Sequence, residues 1–369
     1  MNQDLAQSVT TAPFLDQPMV AGGFVRNAWY VAGWLQDFET DAITHKTLLG
    51  EPIAIFRTDG GQWVALEDRC VHRFAPLSRG QIVDGCKLQC PYHGLQYDAS
   101  GACVYNPHGN QKIPPRSSLR AWPVAVKHKI LWIWMGLSSA PMDQIPDFSV
   151  LDNPPEIHTT KLDYMLMKAN YQLIIDNLLD LSHTSYLHEG LIGNADTVHS
   201  VIDCRMEGDD VMVTRHASKA AAPSIFAQCW PGHPDKVDKL TAMRWMAPST
   251  MHLISCICEV GTDPMTGTGF HALHLLTPET ERTTHYFFTA VRFGVKTSDE
   301  DLNRSLQASI ARLRRFAFEE QDAPIIEAQQ RNLDSARRVL EPTLLEIDAG
   351  PVRYKRMLTQ MLAAERQSG

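Results

Sequence analysis

Cys70-Val71-His72-Arg73-Phe74-Ala75 and, after 17 residues between His72 and Cys90, Cys90-Pro91-Tyr92-His93-Gly94 form two matching half-sites. Each supplies one thiolate and one imidazole. Two thiolates hold one iron of a [2Fe–2S] cluster and two imidazoles the other. Neutral imidazole in place of thiolate removes negative charge and raises the reduction potential. Gly94 lets the chain turn tightly after the second histidine, and Pro91 stiffens that loop. Zinc is the competing occupant, but zinc sites group C-x2-4-C with H-x3-5-H, and a CxH pair is unusual for them. The spacing predicts a Cys2His2 iron–sulfur cluster on Cys70, His72, Cys90 and His93, carried by two loops of a β domain.

Around these loops lie short β-type runs at Trp29–Ala32, Ile53–Phe56, Trp63–Leu66, Val124–Val126 and Ile130–Met135. Turn signals such as Asp59-Gly60-Gly61 separate them, which predicts a small all-β domain over 24–140. Residues 1–23 read as a loose tail. A Pro-containing stretch, Ser138–Pro155, is the candidate linker, and 141–369 form the second domain. There a helical segment, Asn170–Leu181, precedes strand candidates at Val211–Thr214, Met251–Cys258, His271–Leu276 and His285–Val291. A long helix follows, with an apolar stripe of Leu302, Leu306, Ile310, Leu313 and Ala317, and Ser298 placed to cap it. Strands segregated from helices predict an α+β domain.

The helical segment runs on into His183-Thr-Ser-Tyr-Leu-His188 and is apolar apart from Asp176, Asn177, Asp180 and the histidines. Buried carboxylates and imidazoles need partners, and a metal is one. In an ideal helix, His183 and His188 point about 140° apart. They share a metal only if the helix breaks or takes a π-turn between them. Two histidines and one carboxylate on one face suit Fe(II), with the other face open to O2 and substrate. Asp322, before the helix-breaking Pro324, is one candidate for the carboxylate; Glu319, Glu320 and Glu327 compete, and Asp322 can equally cap the helix that follows. The other cysteines, Cys86, Cys103, Cys204, Cys229, Cys256 and Cys258, read as small buried hydrophobes.

The 369 residues are 44% hydrophobic and 21% charged, an ordinary globular balance at the length of two domains. The net charge of −8 disfavours nucleic acid and anionic membrane as partners. Eight Cys in this length is not a disulfide scaffold, and no apolar run reaches the 18 residues of a membrane span, so a soluble cytoplasmic protein is expected. No G-x-G-x-x-G follows a strand, so a partner must deliver electrons, and Arg73, Arg79 and Lys87 near the cluster loops offer it a basic surface.

With these motifs, and with Asn106-Pro-His-Gly-Asn110, Asp176-Asn-Leu-Leu-Asp-Leu-Ser-His183 and Leu275-Leu-Thr-Pro-Glu-Thr280, the chain from Phe24 to about Arg331 resembles the oxygenase component of Rieske non-heme iron oxygenases, nearest the demethylating monooxygenases. The resemblance implies an N-terminal all-β Rieske [2Fe–2S] domain and a C-terminal helix-grip catalytic domain, an antiparallel sheet around a long helix. It implies one Rieske cluster and one mononuclear Fe(II) per subunit, the latter on His183, His188 and Asp322. Asp180 would bridge a neighbouring subunit's cluster histidine, here His93, to His183, with Asn177 near the iron, in a head-to-tail homotrimer. NADH would act only through a separate ferredoxin or flavin reductase.

His274 matches a contact to the substrate carboxylate. Leu253 and Leu313 stand where a related enzyme has an Asn and a Trp in its pocket, so the substrate should differ. The expected activity is O2-dependent monooxygenation of a small aromatic acid, foremost O-demethylation of a methoxy-aromatic with release of formaldehyde. Ring hydroxylation, cis-dihydroxylation and N-demethylation are alternatives with the same metals. A Rieske electron carrier and a zinc-structured binding module are the alternatives of other classes.

Overall fold

The computed structural model describes residues 19–38 and 42–368. Each of the five expected β runs becomes a strand. The N-terminal part holds three small antiparallel sheets. One comprises Thr44–Leu48, Glu51–Arg57, Trp63–Glu67 and Ala121–Trp122; a second comprises Gln81–Val83, Lys87–Gln89, Gln96–Tyr97 and Cys103–Tyr105. The third joins Trp29–Trp34, Ile130–Trp134 and Val124–Lys127. Ala54, Phe56, Leu66, Leu77, Leu88 and Tyr97 form the core under the two ligand loops, with Cys70 and Cys90 part of it.

The C-terminal part is one seven-stranded antiparallel sheet. From one edge, its strands are Asp163–Met167, Thr283–Phe293, Thr268–Thr280, Thr250–Cys258, Val237–Met246, Asp210–Ala220 and Val201–Glu207. The four expected strands are present. Asp163–Met167, Val201–Glu207 and Val237–Met246 complete the sheet and lacked a clean alternation; Lys239, for example, is buried in the last of these.

The period-two alternation of side chains gives each strand two faces. Phe270, Ala272, Leu276, Tyr286, Phe288 and Ala290 pack with Leu306, Ile310, Ala317 and Phe318 of the helical layer. Leu273, Leu275, Phe287 and Val291, on the opposite face, pack against Trp29, Val31, Trp34, Ile130, Trp132 and Trp134. The Trp-rich sheet of the N-terminal part therefore covers the back of the catalytic sheet. Backbone and side-chain bonds tie the two, including Thr277 Oγ1 to Val31 O at 2.8 Å and Trp34 Nε1 to Asp163 O at 2.8 Å.

Several sequence expectations change. For residues 1–18 the loose tail lies outside the described residues. Its end is anchored, because Ala21 N donates to Gln172 Oε1 at 2.9 Å and Gln172 Nε2 donates to Ala21 O at 2.8 Å. The Pro-containing stretch is no free linker: its Ile145, Phe148 and Leu151 bury among the tryptophans. The cap of the helix Glu300–Phe316 is Asp299, whose carboxylate accepts from Leu302 N at 3.0 Å, rather than Ser298. Pro324 does not break the helix. A π-helical stretch, Ala317–Asp322, joins it to Ala323–Ser335 with Pro324 in the first turn of the latter, where its missing N–H matters least. Cys86 is exposed, on the Gly85-Cys86 turn between two short strands, while Cys103, Cys229, Cys256 and Cys258 are buried and Cys204 is half-buried. A terminal helix, Ala349–Ser368, went unrecognised; its Tyr354, Leu358 and Leu362, four apart, bury against the core.

Candidate metal centres and cavity

The two cluster loops share one backbone pattern. Cys70 N donates to Ala75 O at 2.9 Å and Cys90 N to Leu95 O at 2.8 Å. Phe74 N returns to Cys70 O at 2.8 Å, and Gly94 N to Cys90 O at 3.1 Å. The fifth residue of each loop takes a left-handed backbone, Phe74 at φ 57° and Gly94 at φ 73°. Glycine adopts that conformation freely; Phe74 is held there by the loop bonds. Cys70 and Cys90 are buried at 1% exposure, while His72 is exposed and His93 half-buried. The two Nδ1 atoms lie 3.2 Å apart, close enough to share one metal.

A tetrahedral zinc would draw all four donors within a few ångströms of one another. Among the described residues, the sole group of three or more His, Cys, Asp or Glu whose ligand atoms lie within 4.8 Å is elsewhere, so these four do not converge on one ion. Thiols in the core and imidazoles at the rim fit a two-iron cluster standing between them. Burial pushes the Cys90 thiol up, and desolvation with the charges of His72, Arg73 and His108 holds His93 down, favouring the neutral imidazole a metal needs. Of the expected basic surface, Arg73 and Arg79 are exposed, and Lys87 is paired with Asp84 at 2.9 Å.

The converging group is His183, His188 and Asp322. The helix Tyr171–Leu179 stops at Asp180, whose ψ of 88° leaves the helical region, and a single 3-10 turn, His183–Ser185, follows. This break brings the two imidazoles to 5.0 Å between centroids, which an unbroken helix would forbid. Asp322 arrives on the π-turn, which rotates the helix inward; its side chain caps nothing. Asp322 Oδ1 lies 3.2 Å from His188 Nε2 and 3.7 Å from His183 Nε2. Asn177 Nδ2 donates to the same oxygen at 3.1 Å.

Each imidazole is oriented by its other nitrogen, His183 Nδ1 against the Asp180 main-chain carbonyl and His188 Nδ1 against Gln321 Oε1 at 2.8 Å. Burial lowers His183, with Asp322 opposing; at His188 burial is outweighed by Asp322 and Gln321, and the imidazole is raised. Both Nε2 atoms face the carboxylate, a two-histidine, one-carboxylate donor set that fits Fe(II). The Asp180 carboxylate accepts from Ser182 N at 2.9 Å and Ser182 Oγ at 2.5 Å. Asp176 faces away from the metal site: it pairs with Lys355 at 2.7 Å and Tyr354 Oη at 2.9 Å, anchoring the terminal helix.

A cavity of about 100 Å³ opens on this group. Its walls are mostly apolar, with Leu253, Phe226, Phe270 and Phe318 among them, and beside the converging group the polar points are His274, Thr241, Ser255, Arg314, Asn177 and Thr184. Leu253 lines it as expected. Leu313 does not: it packs against the core, and one residue of helical rotation puts Arg314 on the wall instead.

Sequence reasoning passed over the residues that hold this site. Arg215 donates to Leu181 O and Thr184 Oγ1 at 2.7 Å, to Ser185 Oγ at 2.6 Å and to Thr197 O, stapling the turn that carries His183. The signal was available, since Val211, Val213 and Ala217 alternate with it on the buried face of one strand. Gly193 lies against the same turn: a Cβ there would come within 3.0 Å of the Thr184 carbonyl and the Ser185 nitrogen. Gln321 had no signal beyond its place next to Asp322.

Two family models match the chain: the Rieske [2Fe-2S] domain over residues 28–123 and the vanillate O-demethylase oxygenase C-terminal domain over 167–364. The oxygenase component of chloroacetanilide N-alkylformylase from Rhizorhabdus wittichii is 33% identical over 93% of this chain and 97% of its own. The oxygenase component of dicamba O-demethylase from Stenotrophomonas maltophilia is 35% identical over 92% and 98%. A crystal structure of dicamba monooxygenase bound to 3,6-dichlorosalicylic acid superimposes with a TM-score of 0.82 at 32% identity, covering 94% of this chain and 99% of that one. The C-terminal match sets aside the electron carrier and the zinc module.

Proposed function

The chain belongs to the Rieske non-heme iron oxygenases whose catalytic domain is of the vanillate O-demethylase type, and from that premise we propose that it monooxygenates a small aromatic acid, foremost by O-demethylating a methoxy-aromatic. In this reading, Cys70, His72, Cys90 and His93 hold the cluster, and His183, His188 and Asp322 hold the iron. NADH acts through a separate reductase. The single observation that most supports an acid is His274, which offers a buried nitrogen without a partner to a largely apolar cavity beside the iron donor set.

When bound, the iron supplies activation of O2. The protein's own residues do the rest. Phe226, Phe270, Phe318 and Leu253 exclude water and seat a ring. His274 donates to the acid group, and Asn177 steadies Asp322. Hydroxylation of a methoxy carbon gives a hemiacetal that collapses to a phenol and formaldehyde. We place Asp180 on the electron path between His183 and the cluster of a neighbouring subunit in a head-to-tail trimer. Support comes from the surfaces available: Phe74 is 74% and Tyr92 60% exposed beside the cluster histidines, and Tyr186 is 74% exposed beside His183. No helix among the described residues is long and apolar enough to cross a membrane.

The test is incubation of iron-loaded protein with a compatible reductase, NADH and a panel of methoxybenzoates, N-alkyl anilides and unsubstituted aromatic acids, scoring product against O2 uptake. Formaldehyde with an equimolar phenol is expected. A ring diol, or dealkylation confined to the anilides, would overturn the O-demethylase reading.

A further inference from the structure

His274 Nε2 has no hydrogen-bond partner, although the residue is 2% exposed and lines the cavity. Its other nitrogen, Nδ1, lies 2.6 Å from Tyr286 Oη. Burial holds the Tyr286 phenol well above its ordinary range, so the proton stays on the oxygen. Among the described residues, His274 Nδ1 is the hydroxyl's one hydrogen-bond partner. A buried O–H that donates to nothing costs about 1–3 kcal/mol. The hydroxyl therefore donates to Nδ1, which must present its lone pair, and a neutral imidazole then carries its hydrogen on Nε2. Burial, with the charges of Arg314 and His252, keeps His274 neutral.

A second feature lies on the same wall. Arg314 is fully buried and has no acidic partner within ion-pair distance among the described residues; Asp163, the carboxylate in its field, is taken by Arg315 at 3.2 Å. Burial pushes Arg314 down to about 10, which still leaves it charged at neutral pH. Its guanidinium donates to Thr160 Oγ1 at 2.9 Å and Thr289 O at 3.1 Å, and lies against the rings of Phe288 and Phe318. A buried charge without a counter-ion is expensive. An anion entering the cavity would offset that cost.

We propose that Tyr286 is a positioning residue that fixes His274 as an Nε2–H donor into the cavity, and that this donor and the uncompensated Arg314 select an organic anion, carboxylate or sulfonate, over alcohols, amines and cations. The proposal rests on the reading of the cavity as the substrate site and deepens it by naming the residue that fixes the His274 proton and the charge that stands beside it. Tyr286 does not itself line the cavity and acts only through His274.

Neutron diffraction from crystals of the holoprotein exchanged into D2O locates the proton, and calorimetry with 2-methoxybenzoate, toluene-4-sulfonate, 2-methoxybenzamide and benzylamine reads the selection. We expect deuterium on Nε2, binding of both anions, at least tenfold weaker binding of the amide and none of the amine. Tyr286→Phe should weaken the anions about tenfold and leave the amide within twofold. Equal weakening of anions and amide in Tyr286→Phe would make Tyr286 merely structural and overturn the positioning role. Deuterium on Nδ1 in the wild type would overturn it even if the variant fails to fold, while leaving the acid reading to the calorimetry. Binding of the amide but of neither anion would sink the selection and the acid substrate together, with the proton position unaffected.

Discussion

Replacing Gly193 by alanine tests the idea that the iron site depends on a turn pressed against glycine. The new Cβ would fall within 3.0 Å of the Thr184 carbonyl and of Ser185 N, closer than real Cβ contacts come, and backbone atoms cannot swing aside as a flexible side chain can. The segment next to His183 must move by about half an ångström, at a cost of about 1–3 kcal/mol for overpacking. Disturbing what orients a metal ligand lowers metal affinity by about 10–100-fold. The cluster, in the other domain, should be untouched. Gly190→Ala is the control: its φ of 78° makes alanine strained by about 1–2 kcal/mol, but nothing lies within 4 Å of the added carbon. The assay is iron and acid-labile sulfide per chain at limiting iron, the visible spectrum of the cluster, and the urea midpoint. Gly193→Ala should keep its sulfide and lose most of the mononuclear iron; Gly190→Ala should lose only stability. Full mononuclear iron and wild-type turnover in Gly193→Ala would refute the reasoning.

Other perturbations separate the remaining roles. Gln321→Leu removes the partner of His188 Nδ1 and should weaken Fe(II) binding about 10–100-fold with the cluster intact, read by iron titration. Asp180→Asn should keep both metal centres yet nearly abolish turnover in a reductase-coupled assay; undiminished turnover removes Asp180 from the electron path. Lys239 is buried and lowered to about 7 from an ordinary 10.5, so the unfolded chain binds more protons between those values, and stability should rise with pH across that window at about 1.4 kcal/mol per unit. Lys239→Met should flatten that rise, measured by urea denaturation at pH 7 and 9.

The candidate cluster loops were legible because their chemistry is local: thiol, imidazole and turn residue sit within a few positions of one another. The candidate iron site was legible only in part. Residue types marked His183 and His188, but regular helical geometry sets them on different faces, and the break at Asp180 depends on tertiary staples such as Arg215. Asp322 stood level with Glu319, Glu320 and Glu327 on spacing alone, because a π-turn shifts the helical register and no short pattern announces one. Charge misled where it is buried. Arg314 follows Ile310 by four residues and belongs to the inward stripe, a place the apolar pattern gave to Leu313. The terminal helix repeats Tyr354, Leu358 and Leu362 at the same interval, a pattern that was present and went unread.

The strand Thr268–Thr280 faces two ways: Phe270, Ala272 and His274 toward the substrate cavity, Leu273 and Leu275 toward the tryptophans of the cluster-bearing half. The two halves are therefore poor candidates for exchange between relatives. A grafted catalytic domain would meet foreign tryptophans on the back of the strand that shapes its pocket. New specificities in such a chain should arise by substitution along the cavity wall rather than by recombination at the boundary, and a chimera designed to swap substrates must carry Trp29–Trp34 and Ile130–Trp134 with it.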